Sequence, residues 1–278
     1  MTKLNNNYLF LENYKPDKPL IIFTGHPRNW EVIAEYNKKF INSLDANVII
    51  SAWIDTNVAK KKDIAFKKKK DFLHLIETFK PIYLDIEKFN VRLTYKLFGR
   101  ITFYDKVLFY AALSTRGQVY KIYRSLVIAK AIEKVVKKKF KVIIKSRLDY
   151  LIFNFSLKKN LLKNYIYFEH NQSAHFQLSD RFFYGSRDAL FNFSKYLLKF
   201  ARVVHKQKIY ILNHIPINEN FFKLCSIKYK IPYKLIFPFS GLWKRKVRPS
   251  KIRIFLIILR AFINYQKNKI EFITKYLH

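Results

Sequence analysis

The sequence lacks several features that would place a chain of 278 residues in a familiar class. It has one cysteine, Cys225, so an internal disulfide framework is excluded and a reducing compartment is favoured. No cluster of cysteine and histidine with zinc-ligand spacing is visible. The N-terminal residues contain no apolar signal-peptide core, which argues against secretion. These absences predict a cytoplasmic protein without disulfide or zinc support.

Long apolar runs are also missing, and no stretch of 18 or more apolar residues exists, so no spanning helix is expected. The longest apolar run, 254–263, contains Arg260. It lies in a C-terminal segment, 239–278, that mixes basic, aliphatic and aromatic residues. Such basic amphipathic segments lie on anionic membrane surfaces, which predicts a peripheral protein on the inner face of the membrane. The alternative is a helix that packs on the domain with its lysines exposed.

Acidic residues are scarce. The chain has 19 Asp and Glu and 54 Lys and Arg, which gives a formal net charge of +35. Charge of this size predicts attraction to polyanions such as nucleic acid, anionic lipid or phosphorylated substrates, and it says nothing about the fold. A solvated, lysine-rich surface accounts for most of these residues. Hydrophobic residues make up 50% of the chain and aromatic residues 18%, so a sizeable core is expected.

The pattern of apolar residues predicts strands that alternate with helices. Residues 19–24 and 46–53 are apolar runs typical of buried strands, and residues 31–44 between them have helical spacing. Further strands are predicted at 81–86, 141–145 and 164–169, and further helices at 71–79, at 118–139, near 186 and at 218–229. The alternation predicts an α/β fold with a mostly parallel central sheet and helices on both faces.

The same pattern sets the expected domain organisation. We predict a single domain over residues 1–238, followed by the basic tail 239–278. Residues 90–117 contain two glycines, Gly99 and Gly117, and are expected to form a flexible loop region.

Three charged residues interrupt the apolar pattern at the end of the strand predicted at 141–145. Lys145, Arg147 and Asp149 alternate with other residues, so an extended chain would place all three side chains on one face. In parallel sheets, ligands sit at the carboxyl ends of strands. There a carboxylate can hold Mg²⁺ or Mn²⁺ across a diphosphate, and a guanidinium can pair with phosphate directly. An ordinary ion pair at a strand end is the alternative.

The loop after the first predicted strand, GHPRNW at 25–30, would lie at the same edge of the sheet. Gly25 allows close approach of the backbone, the amides that open the next helix can hold phosphate, and Arg28 adds a bidentate partner. His26 lies between them in the same candidate phosphate-binding loop. A plain turn, with Trp30 packed on the helix, explains the segment equally well.

A family resemblance connects these segments. KFKVIIKSRLDYLI, 139–152, resembles the Lys-x-Arg-x-Asp strand motif of WavE-type lipopolysaccharide-synthesis and capsular glycosyltransferases, which have a GT-A-like fold. Residues 21–53 are similar to the first βαβ unit of that family, and LSDRFFYGSRDAL, 178–190, resembles its segment near the acceptor. Classical GT-A enzymes carry Asp-x-Asp at the strand motif, and here Arg147 replaces the first carboxylate.

The resemblance implies a glycosyltransferase that moves a sugar from a nucleotide-sugar donor to a lipopolysaccharide-type or capsule-type acceptor. It implies that Asp149 orients the sugar or a Mg²⁺–diphosphate or Mn²⁺–diphosphate complex. Arg147, Lys145 and Arg28 would offset the charge of the diphosphate.

Two later residues complete the expected site. Asp180 would deprotonate the acceptor hydroxyl or bond to the sugar, although a turn-forming aspartate is an equally good interpretation. Gly185 would lie beside the donor.

A nucleic-acid-binding protein is the alternative of a different class, given the strongly basic composition. Against it, the basic residues are spread along the whole chain and no recognised binding motif appears.

Overall fold

The computed structural model describes most of the chain up to Leu242. The described residues are 2–4, 7–27, 30–54, 69–88, 106–152, 155–157, 160–170, 178–206, 217–236 and 240–242. Arg28, Gly99 and nearly all of the basic tail lie outside these ranges.

The described residues form eleven strands in two sheets. The strands are β1 (Thr2–Leu4), β2 (Asn7–Leu9), β3 (Leu20–Gly25), β4 (Asn47–Ile54), β5 (Tyr83–Lys88), β6 (Val142–Arg147), β7 (Tyr150–Ile152), β8 (Ile166–His170), β9 (Leu178–Ser186), β10 (Tyr233–Ile236) and β11 (Ser240–Leu242). The large sheet has the order β1-β2-β5-β4-β3-β6-β9-β8-β10, and β7 pairs with β11 in a separate two-stranded sheet.

Seven of the nine strands in the large sheet run in the same direction. β3, β4, β5 and β6 are mutually parallel, and β8 and β10 are parallel to each other. β9 lies antiparallel between β6 and β8, and β2 is antiparallel to both of its neighbours. The sheet is therefore mostly parallel, with β2 and β9 as the reversed strands.

Helices cover both faces of this sheet. Five α-helices are described, namely α1 (Trp30–Leu44), α2 (Lys69–Phe79), α3 (Lys106–Val136), α4 (Arg187–Lys206) and α5 (Ile217–Lys228). Side chains of α1 and α2 join one apolar cluster, which packs on residues such as Ile21, Phe23 and Ile144. Side chains of α3, α4 and α5 join the other, which packs on residues such as Ile22 and Ile143. The predicted α/β fold with helices on both faces is confirmed.

The predicted apolar stripe of the helix before β6 is confirmed, and its length is corrected. Ile122, Leu126, Ala129 and Ile132 are buried in the core. The helix begins at Lys106, however, so most of the second half of the expected 90–117 loop belongs to α3. Gly117 lies inside this helix, because tertiary packing overrides the weak helix propensity of one glycine. No helix within the described ranges is long and apolar enough to cross a membrane.

A short strand is described just beyond the domain boundary predicted at 238. β11 begins at Ser240 and pairs antiparallel with β7, with Leu242 opposite Tyr150. The strand therefore supports the segment that follows the charged end of β6, and the fold extends at least to Leu242.

A buried ion cluster, formed by Ser51, Asp85, Glu87, Lys121 and Arg124, ties α3 to the sheet. The Asp85 side chain is fully buried, and it accepts hydrogen bonds from Ser51 Oγ at 2.5 Å and Lys121 Nζ at 3.1 Å. Arg124 Nε and Nη2 donate to the same carboxylate at 2.9–3.1 Å. Burial alone would raise the pKa of Asp85, but Lys121, Arg124 and Ser51 together lower it below its ordinary value.

We predict that Asp85→Asn destabilises the fold by about 3–5 kcal/mol, because it leaves Lys121 buried beside a neutral amide. The depressed pKa of Asp85 contributes stability above pH 4 or so, and this contribution is lost as the pH falls through the folded-state pKa. Denaturant unfolding as a function of pH measures both effects.

Asp45→Asn is the matched control for this experiment. Asp45 pairs with Lys15 and Lys18 on the surface, and its backbone has a φ of 48°, which asparagine tolerates well. Its melting temperature should stay close to that of the unaltered protein. Equal stability of the two variants would show that the ion cluster is unimportant for the fold.

Candidate active site

The first loop and the charged strand end meet at the carboxyl edge of the sheet, as expected. β3 lies beside β6, and Thr24 is the register partner of Arg147. Gly25, the next residue, ends β3 with a backbone φ of 99°, a conformation that residues other than glycine rarely adopt. A Cβ at Gly25 would meet no atom within 4 Å, so the requirement for glycine is one of backbone conformation.

The rest of this loop is only partly described. His26 is half-buried, Pro27 is buried, and Arg28 lies outside the described residues. Trp30 is fully buried at the start of α1, where its ring packs against His74 at 5.3 Å and Phe79 at 5.6 Å. Trp30 therefore has a packing role, and phosphate binding by the loop stays a prediction.

Arg147 and Asp149 form a bidentate ion pair. Arg147 Nε donates to Asp149 Oδ1 at 2.8 Å, and Nη2 donates to Oδ2 at 2.7 Å. The prediction of an extended chain through Asp149 is wrong. Leu148 and Asp149 form a turn between β6 and β7. Burial would lower the pKa of Arg147, but the charge and hydrogen bonds of Asp149 raise it above its ordinary value.

Lys145 lies behind this pair in the interior. It is 3% exposed, its Nζ donates to the backbone carbonyl of Asp180, and the same nitrogen lies 5.4 Å from the Phe183 ring centroid. Burial lowers the pKa of Lys145 to about 7, since the neighbouring carboxylates only partly offset the loss of hydration. The charged groups that act on Lys145 are Asp180, Arg147, Asp149 and Arg181.

Asp180 reaches the same cluster, as expected, but its carboxylate is poorly placed to act as a base. The side chain is 3% exposed, and its Oδ1 lies 4.0 Å from Arg181 Nε. A general base must come within hydrogen-bond reach of the acceptor hydroxyl, which this burial opposes. The backbone carbonyl that holds Lys145 is the clearest contribution of Asp180.

Arg181, Tyr150 and Glu169 also belong to this cluster, and the sequence analysis missed them. Arg181 Nη1 donates to the Tyr150 hydroxyl at 3.0 Å, and the Arg181 guanidinium lies 5.7 Å from the Tyr150 ring centroid. Burial, together with the charge of buried Glu169, raises the pKa of Tyr150. The sequence signal was the arginine directly after Asp180, but its relevance depends on the reversed direction of β9.

Gly185 does not lie at this edge, which corrects its expected place in the donor site. It pairs with Ile143 and Ile166, near the amino ends of β6 and β8. A Cβ there would lie 2.9 Å from the carbonyl oxygen of Tyr165 and 3.2 Å from Leu190 Cδ2. Gly185 thus permits close packing at the opposite end of the strands.

The residues present offer little to the expected metal ion. Both carboxylate oxygens of Asp149 accept hydrogen bonds from Arg147, and the Asp149 side chain is 2% exposed. Mg²⁺ and Mn²⁺ require carboxylate oxygens that they can reach. Within the described part of the chain, no three His, Cys, Asp or Glu side chains come together as a metal-binding group.

Comparisons with known proteins give a distant structural likeness and no family. No protein-family model matches the sequence, and no curated protein matches it either. Among solved structures 116 chains match, including a glycosyltransferase involved in the glycosylation of the major capsid of PBCV-1. That chain is 11% identical, the match covers 78% of this chain and 82% of that chain, and the TM-score is 0.36. The WavE-type resemblance is not confirmed, and so distant a likeness carries no argument about activity.

We predict that Lys145 makes stability rise with pH between about 7 and 10.5, the folded and ordinary pKa values. In that window the unfolded chain binds a proton at Lys145 that the folded chain does not, so raising the pH favours folding. The slope from this residue is at most about 1.4 kcal/mol per pH unit. Denaturant unfolding of the unaltered protein and of Lys145→Met should diverge across the window, and parallel curves would contradict the assignment.

We predict that Gly185→Ala destabilises the fold by about 1–3 kcal/mol, since the new methyl group would meet a backbone carbonyl that cannot easily move. Thermal denaturation measures the effect. Asn192→Ala at an exposed position of α4 is the control and should change stability by less than about 0.5 kcal/mol. A Gly185→Ala variant as stable as this control would contradict the packing role.

Proposed function

We propose that the protein is a glycosyltransferase that uses a nucleotide-sugar donor and a cell-surface glycan or glycolipid acceptor. One observation carries the proposal: the Arg147–Asp149 pair stands beside the Gly25 turn at the carboxyl ends of adjacent parallel strands. This edge is where open α/β sheets bind their ligands. A guanidinium fixed there by a carboxylate suits a phosphorylated ligand.

Sugar transfer depends mainly on stabilisation of the negative charge that develops on the leaving group. It requires no covalent intermediate with the protein. The bond between the anomeric carbon and the phosphate oxygen breaks, and its electron pair stays on the departing nucleotide. The acceptor hydroxyl oxygen bonds to the anomeric carbon, and its proton passes to water. A fixed positive charge near the departing phosphate lowers this barrier because it requires no reorganisation during the reaction.

The Arg147 guanidinium supplies such a fixed charge, and Lys145 supports it from the interior. Arg147 is 19% exposed and held bidentately by Asp149, which limits the directions its guanidinium can take. Lys145 lies beneath it and is fixed by the Asp180 carbonyl. We assign Arg147 to the donor phosphate, Asp149 to the position of Arg147, and Lys145 to the support of that edge.

The proposed acceptor is attached to a lipid or to the cell surface. A lipid-linked or surface glycan of the lipopolysaccharide or capsule type would lie near an anionic membrane. The basic tail, 239–278, suits attachment of a cytoplasmic protein to such a surface. The Lys and Arg excess of the chain is compatible with the same location.

We predict that one class of UDP-, GDP- or CMP-sugar raises the thermal stability of the protein. A ligand that binds only the folded state stabilises it by about 2.7 kcal/mol at one hundred times its dissociation constant. A thermal-shift screen, repeated with and without Mn²⁺, measures this, and sugar transfer or donor hydrolysis is then assayed for the donor that binds.

Asp149→Asn should bind the selected donor more weakly, because it releases Arg147 from its bidentate partner, whereas Asp45→Asn on the surface should bind it normally. Stabilisation by no nucleotide sugar, combined with tight and salt-sensitive binding of DNA, would favour the nucleic-acid alternative instead.

A further inference from the structure

We propose that Arg147 and Arg181 form one diphosphate-binding site and that this guanidinium pair takes the place of a divalent cation. The inference rests on the proposed function, since it names the chemistry by which the donor is held. It adds Arg181 as a ligand-binding residue and predicts that donor binding does not depend on metal.

The two arginines occupy neighbouring positions on adjacent strands. Ser146 of β6 pairs with Phe182 of β9 in an antiparallel register. The next residue along β6 is Arg147, and the preceding residue on β9 is Arg181. Side chains on directly opposite antiparallel positions start about 5 Å apart at Cβ. Both also influence Lys145 and Tyr150 electrostatically, which places them around one location.

Two consecutive residues, Asp149 at the end of the turn and Tyr150 at the start of β7, orient both guanidinium groups. Asp149 accepts two hydrogen bonds from Arg147, at 2.8 and 2.7 Å. The hydroxyl of Tyr150, the next residue, accepts a hydrogen bond from Arg181 Nη1 at 3.0 Å. Each arginine is thus oriented before a ligand arrives, which reduces the entropy lost on binding.

The order of exposure favours an anion over a cation. The side chains of Arg147 and Arg181 are 19% and 27% exposed, whereas those of Asp149 and Asp180 are 2% and 3% exposed. The two arginine side chains are therefore partly accessible to a ligand, whereas the two carboxylates are not. A diphosphate meets guanidinium donors first, and it matches them in charge and geometry.

A divalent cation would meet the opposite arrangement. To coordinate Asp149 it must displace both hydrogen bonds from Arg147 and enter beside two guanidinium groups. In the transfer step the guanidinium pair instead offsets the charge that develops on the departing diphosphate. The bond between the anomeric carbon and the phosphate oxygen breaks, and its electron pair stays on the departing diphosphate. The acceptor oxygen bonds to the anomeric carbon, and the proton of the acceptor hydroxyl passes to water.

Inorganic pyrophosphate is the probe that separates this inference from the proposed function. We expect calorimetry to detect pyrophosphate binding in excess EDTA, with an affinity within about twofold of that measured with Mn²⁺ after correction for the Mn²⁺–pyrophosphate complex. Binding that appears only with Mn²⁺, or no binding at all, would overturn the inference. Pyrophosphate binding without any nucleotide-sugar binding would support the guanidinium pair and refute the transferase.

Variants of Arg181 test the new residue. Arg181→Gln should weaken pyrophosphate binding about tenfold to a hundredfold, as expected for loss of a charge-assisted contact. Arg181→Lys keeps the charge without the planar set of guanidinium donors. Its affinity for pyrophosphate should lie between that of the unaltered protein and that of Arg181→Gln. Lys195→Gln on the exposed face of α4 removes the same charge and should change affinity by less than about twofold.

Tyr150→Phe separates binding from structural support. It removes the hydroxyl that orients Arg181 and keeps the ring, so it should weaken pyrophosphate binding severalfold with Arg181 still present. Normal pyrophosphate affinity in Arg181→Gln would overturn the assignment of Arg181. Circular dichroism and melting curves establish that each variant compared is folded.

Discussion

The bidentate contact between Arg147 and Asp149 is the interaction on which the rest of the site depends. It joins the last residue of a buried parallel strand to the turn that follows, and so it sets where β7 begins. β7 in turn carries Tyr150, which orients Arg181 on the reversed strand β9. Because only Leu148 separates the partners in sequence, the pair closes a very short loop, and the more distant contacts can form around it.

The sequence was sufficient for the parallel half of the fold because each of its strands carries its own signal. The apolar runs before Gly25 and before Lys145 are short, β-branched and bounded by polar residues, which is the pattern of a strand buried on both faces. Because β3 and β6 are adjacent and parallel, the Gly25 turn and Arg147 lie at the same edge of the sheet. The sequence offered an ion pair at this strand end only as the alternative interpretation, and a turn brings Arg147 and Asp149 together instead of a continued strand.

The remaining features depend on contacts between distant segments, which no local pattern records. The direction of β9 decides that Arg181 reaches Arg147, and that Gly185 lies at the far end of the strands. The Asp85 carboxylate can be buried because Lys121 and Arg124 donate hydrogen bonds to it. These residues lie thirty-six and thirty-nine positions further along the chain. The strand β11 is three residues long, and its partner β7 lies ninety residues earlier. Short strands of this kind carry almost no periodicity.

The pairing of β11 with β7 has a mechanical consequence. Leu242 lies opposite Tyr150, and the basic segment that suits a membrane surface follows directly in the sequence. Tension on that segment would act first on the hydrogen bonds between β11 and β7. Through them it would act on Asp149 and Tyr150, which orient the two guanidinium groups. The strand Ser240–Leu242 would thus connect the two proposed roles, binding of a bilayer by the basic segment and binding of an anion by the guanidinium pair.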